Sequence, residues 1–120
     1  MYHYSFEKLD VWKDAKDLAK HIYEITKKFP SDEKFGFVAQ LRRASISIAS
    51  NIAEGSARKT SKDQAHFYVI AFSSSIEVLN QIIICYELEF ISEDTYVSLR
   101  TQIERITNRL NALRKSRLNE

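Results

Sequence analysis

The chain has 120 residues, 44% of them hydrophobic and 28% charged, with a formal net charge of +2 at pH 7; that is enough for one core and too little for two, and the mix excludes intrinsic disorder. Fully apolar runs such as residues 82–86 are far shorter than a membrane span, and the opening MYHYSFEKLD lacks the basic-then-apolar order of a secretory leader. A single cysteine, Cys85, excludes an internal disulfide and a multi-cysteine zinc site, so the chain is expected to be cytoplasmic, free of cofactor and metal, and away from membranes.

Two glycines and one proline leave almost none of the punctuation that sheet proteins need at their turns. Few turns mean few, long elements, and in a chain of this length those are helices. Three stops are available: Pro30 with Ser31 and Asp32, Gly55 with Ser56, and residues 90–94. The spacing predicts helices over 7–28, 32–54, 62–89 and 93–115. Ser31 or Asp32 is expected to cap the second, a Ser61–Gln64 capping box the third and Ser92 the fourth, with Gly55 in a left-handed cap. Four rods of about 33 to 42 Å with short connections form an all-α, antiparallel up-down-up-down four-helix bundle, one domain over 1–120.

In the first helix Leu9, Trp12, Ala15, Ala19, Ile22, Ile25 and Phe29 form the expected core face. Lys13–Asp17 and Glu24–Lys28 read as four-residue pairs on a solvated face that also holds His21. The second and third helices are apolar over more of their circumference than a lone bundle can bury, which predicts self-association. Their polar remainders face each other when the chain folds back near residue 57. Arg43, Ser47, Asn51, Glu54 and Glu77 are expected to form a buried polar seam with a strict Arg43–Glu77 pair. In the fourth helix Tyr96, Leu99, Ile103, Ile106, Leu110 and Leu113 mark one narrow seam.

No enzyme signature stands out. The two glycines are isolated, so no phosphate loop forms. A ferritin-type dimetal site has only Asp63–His66 to draw on, and Cys85 lies among isoleucines as an inert core thiol. Arg58 and His66 are spaced poorly for a toxin-like ribonuclease, which stays as a remote alternative. Charge is the stronger lead. From Arg100 onward six basic residues face two acidic ones, a net +4, and the rest of the chain sums to −2. By parity the second helix ends where the fourth ends. One pole then gathers Arg58, Lys59, Lys62, Arg109, Arg114, Lys115 and Arg117, a surface for polyanions that equally fits a merely solubilising tail. No exposed aromatic cluster is expected, so binding is read as phosphate neutralisation without base readout.

The blocks Phe6, Leu9, Val11, Trp12 and Ala15, then Phe29–Pro30, then Gln40-Leu41-Arg42-Arg43-Ala44 with Ser47, Ile48 and Asn51-Ile52-Ala53-Glu54-Gly55, then Ala71, Ser74 and Glu77, carry a resemblance. The sequence resembles the bacterial four-helix-bundle proteins of 23S ribosomal RNA intervening sequences, relatives of the accessory variability proteins of diversity-generating retroelements. The resemblance implies a homopentameric barrel and a structural role for Arg43, Asn51, Glu54 and Glu77. It also implies partners: nucleic acid, with ribosomal RNA first, and further copies of the chain. The alternative is an oligomeric hub that docks a partner enzyme such as a reverse transcriptase.

Overall fold

The computed structural model describes residues 1–119. Glu120, counted above in the charge of the tail, lies outside the described residues. Four helices are present, α1 (Asp10–Thr26), α2 (Ala39–Ser56), α3 (Ser61–Glu87) and α4 (Glu93–Leu118); short turns join α2 to α3 and α3 to α4, a longer segment, residues 27–38, joins α1 to α2, and the described residues contain no strand. Each helix packs on its two neighbours, with α4 closing back on α1, in a body of 46 × 31 × 22 Å. This is the expected bundle.

The core is built at helical spacing: Val11, Ala15, Leu18 and Ile22 from α1, Leu41, Ala44, Ile48 and Ile52 from α2, Tyr68, Ala71, Val78, Ile82 and Cys85 from α3, and Leu99, Ile103, Ile106 and Leu110 from α4. The α4 seam is as expected, with Tyr96 and Leu113 half-buried at its ends. On α1, Ala15, Ala19, Ile22 and, just beyond the helix, Phe29 are buried as expected; Val11 and Leu18 join them on one side, while Leu9, Trp12 and Ile25 pack along the edges. His21 therefore faces α4, where its Nδ1 meets Gln102 Oε1 at 2.7 Å, instead of lying on the charged face. Glu24 pairs with Lys27 at 3.1 Å, not Lys28, and no Lys13–Asp17 bridge forms.

Long helices need explicit ends, because four N–H and four C=O groups at each terminus lack helical partners. The Ser92 hydroxyl caps α4 as expected, accepting from the Thr95 N–H at 3.1 Å. At α3 the cap is Thr60, whose Oγ1 accepts from the Asp63 N–H. Gln64 donates to the Arg58 carbonyl at 3.0 Å and so ties the preceding loop, in place of the Ser61–Gln64 box. The second helix does not start at 32. Residues 31–33 form a tight 3-10 turn and 34–38 a wide π-type turn, without a side-chain cap from Ser31 or Asp32, and Gly36 (φ −99, ψ −112) breaks the geometry before α2 begins at Ala39. Gly55 is not a left-handed cap either; no glycine here has positive φ. At the far end of α3 the N–H of Phe90 reaches Cys85 O and that of Glu89 reaches Tyr86 O, a Schellman closure with Glu89 at φ 65.

By length and composition α3 could cross a membrane, contrary to the reading from its short apolar run. Its apolarity has a simpler cause, since it packs against both α2 and α4. Within it Cys85 is fully buried, and burial, with the nearby Glu33 charge second, pushes the thiol up to about 12. Above pH 9 the unfolded thiol ionises while the folded one keeps its proton, so this group's contribution to stability is lost as pH rises. The stability advantage of the wild type over Cys85→Ala is expected to shrink by about 1 kcal/mol between pH 9 and about pH 10. Denaturant titrations at both pH values measure it, and a constant difference refutes it.

Candidate nucleic-acid interface

The polar seam between α2 and α3 forms in the expected register. Arg43 Nη2 reaches Glu77 Oε2 at 2.8 Å, Ser47 and Ser74 hydroxyls meet at 2.9 Å, and Asn51 Nδ2 donates to the Ser47 carbonyl at 2.9 Å. Gln81, absent from the expected set, donates to Glu77 Oε2 at 3.2 Å. The expected burial of the Arg43–Glu77 pair is corrected, however. The Arg43 and Glu77 side chains are 65% and 37% exposed, and Glu54 is exposed and outside the network. Water screens such a pair, so Glu77→Ala is expected to cost less than about 1 kcal/mol, measurable by thermal melting. A loss of several kcal/mol would restore the buried pair. The tighter tie runs from Arg42: its Nε donates to the buried Thr26 hydroxyl at 3.0 Å and its guanidinium lies 4.5 Å over the Tyr23 ring, fastening α2 to α1.

The basic residues divide into two groups. At the α2–α3 loop, Arg58, Lys59 and Lys62 are exposed. The Arg58 guanidinium lies 4.4 Å over the Phe67 ring, which holds it beside the start of α3. From α4, Arg114 lines a groove with Tyr68, Val69 and Phe72, while Lys115 is exposed. Arg117 hydrogen-bonds the Tyr68 hydroxyl; burial raises the Tyr68 pKa, and the guanidinium only partly offsets this. Since Tyr68 is two turns into α3, the end of α4 and the 57–62 segment share one pole, as parity requires. Arg109 departs from the expected set. It is bound to Asp14 Oδ2 of α1 at 2.5 Å, so its charge is largely answered within the chain. Arg117 is half-buried and serves partly as a tie between α3 and α4.

Gly55 makes this pole possible. A Cβ there would lie 2.8 Å from Tyr68 Cε1 and 2.9 Å from Phe67 Cβ. Its lack of a side chain lets α3 close on α2 just where Phe67 carries Arg58 and Tyr68 carries Arg117.

The sequence pattern of the 23S rRNA-intervening sequence protein family matches residues 7–112. The chain belongs to this family. No curated protein matches it significantly. Among solved structures it is similar to a protein of unknown function from the S23 ribosomal protein family of Bacteroides thetaiotaomicron, with 21% identity and a TM-score of 0.79 over 88% of this chain and 98% of that one. At that identity the likeness concerns the fold, and it agrees with the bundle built above.

Two surfaces of this family member went unread in the sequence. Tyr2 and Tyr4, ahead of α1, are exposed; the signal was their position before the first helix, where no core face claims them. Between α1 and α2 lies an apolar groove of about 470 Å³, lined by Trp12, Ala19, Tyr23, Ile46 and Ala49 with Lys16, Lys20 and Glu24 at its rim. Ile46, Val69 and Ile76 are exposed, and Phe35 almost wholly so. Ile46 and Val69 belong to the excess apolar arc expected of the two middle helices, whereas Phe35 precedes α2. Among the described residues no three His, Cys, Asp or Glu side chains come together as metal ligands.

Proposed function

We propose that this chain is a non-enzymatic, cytoplasmic homo-oligomer, a pentamer as the family resemblance implies, that binds structured nucleic acid, ribosomal RNA first, by charge and shape. The observation that carries the reading is the meeting of Arg58, Lys59 and Lys62 with Arg114 and Lys115 at one end of the bundle. Phosphates are the ligand such a surface fits, because Lys and Arg displace condensed counterions from the polyanion. Membership in a family described by 23S rRNA intervening sequences supports the choice of RNA. The apolar groove between α1 and α2 and the exposed Ile46, Val69 and Ile76 support self-association, since a patch of this kind is costly to leave wet.

Filter binding with ribosomal RNA across a salt series tests the ligand, and sedimentation velocity tests the assembly. Binding that weakens steeply with salt supports the reading. Absence of binding at low salt discards it in favour of a hub for a protein partner. A single stable copy at micromolar concentration removes the oligomer.

A further inference from the structure

We infer that the basic pole takes nucleic acid with unpaired bases, which stack on Tyr2 and Tyr4 while the neighbouring lysines and arginines hold the phosphates. This rests on the reading above and narrows its ligand from structured nucleic acid in general to exposed single-stranded segments. Tyr2 and Tyr4 are 76% and 62% exposed, with ring centroids 4.9 Å apart and planes at 85°. An edge-to-face pair covers one ring face and leaves the others open to a flat partner.

The segment is anchored rather than loose. The Tyr4 N–H donates to Glu7 Oε2 at 2.8 Å, the Glu7 N–H donates to the Tyr4 carbonyl at 3.1 Å, and Phe6 packs edge-on against Trp12 at 5.0 Å. Holding the rings in place lowers the ordering cost of binding. Their location follows from register. Thr26 of α1 lies level with Arg42 of α2, which puts Trp12 level with the last turn of α2. Leu9, Asp10 and Val11 share a groove with Ala112 and Leu113 of α4. The tyrosines therefore emerge between the end of α2 and the last turns of α4, the two elements that frame the basic pole. Aromatic faces beside a cationic surface suit unpaired nucleotides, whose bases offer π-faces that a duplex keeps stacked inside.

The test uses the full chain and three labelled probes of about a dozen nucleotides or base pairs: oligo-uridylate, oligo-thymidylate and a duplex. Fluorescence anisotropy measures binding of each across a salt series. The double variant Tyr2→Ala/Tyr4→Ala is expected to lose about tenfold or more in affinity for both single strands. Its duplex affinity, salt slope and melting temperature should stay as in the wild type, and Tyr2→Phe/Tyr4→Phe should bind like the wild type. If the alanine variant binds single strands as well as the wild type, while a variant lacking the pole lysines does not, stacking is overturned and the charge reading survives. If the wild type binds none of the probes at low salt, both fall.

Discussion

Replacing Lys59, Lys62 and Lys115 together by glutamine is expected to lower affinity for ribosomal RNA about a hundredfold at low salt, and to flatten the log–log salt dependence by about 2 to 3 per protomer engaged. All three side chains are exposed, so the fold should melt within about 0.5 kcal/mol of the wild type. The comparison variant removes Lys20, Lys28 and Lys34, which are equally exposed but lie midway along α1 and in the α1–α2 connection at the opposite end of the bundle. It sheds the same formal charge. If the two triple variants bind alike, only net charge matters and the pole has no special part. If the pole variant alone fails, location decides. Measured affinities at several salt concentrations separate these results, because a single concentration confuses slope with intercept.

The largest effect on stability is expected at Gly55. An alanine there would gain up to about 1 kcal/mol of helix propensity, but its Cβ would meet Phe67 Cβ at 2.9 Å as well as the Tyr68 ring. Phe67 Cβ is fixed to its backbone and cannot give way, so α3 itself would have to shift. Valine adds two further methyl groups to the same space, and Gly55→Val should cost about 3 kcal/mol or more. Separating α3 from α2 would also loosen Phe67 under Arg58 and Tyr68 beside Arg117, so the pole should be disturbed along with the fold. Thermal melting together with salt-dependent RNA binding measures both consequences. A Gly55→Val protein with wild-type melting would falsify the close-approach account of this glycine.

The bundle was legible because its evidence is local and repeated. Leu99, Ile103, Ile106 and Leu110 announce one face four times over, and all four are buried. The Arg43–Glu77 register was legible too, because a short turn leaves two antiparallel helices little choice. What the sequence withheld depends on the third dimension. A wheel that counts Trp12 and Leu9 into the core face of α1 leaves out Val11 and Leu18 on its other side, since a large aromatic can sit at the margin of a core while smaller side chains fill it. Gly55 reads as a terminator from its neighbours alone; only the presence of Tyr68 and Phe67 across the gap explains it. Parity of helices can bring Arg109 to the right end but cannot say which way it points, and Asp14 of α1 claims it. Similarly, a short polar stretch such as residues 31–38 carries capping signals that Gly36 then overrides. Tyr2 and Tyr4 belong to no periodic pattern, so nothing local distinguished a displayed pair of rings from an ordinary overhang.

The connection between α2 and α3 spans only residues 57–60. Bringing their hydroxyl and ion-pair partners together therefore costs little chain entropy, whereas closing α4 onto α1 must gather a much longer loop. The α3–α4 turn, residues 88–92, is almost as short, so either hairpin can form early while the α1–α4 contact waits for the rest of the chain. Amides of α3, which packs on α2 and α4 through both short turns, are expected to exchange with solvent later than those of α1.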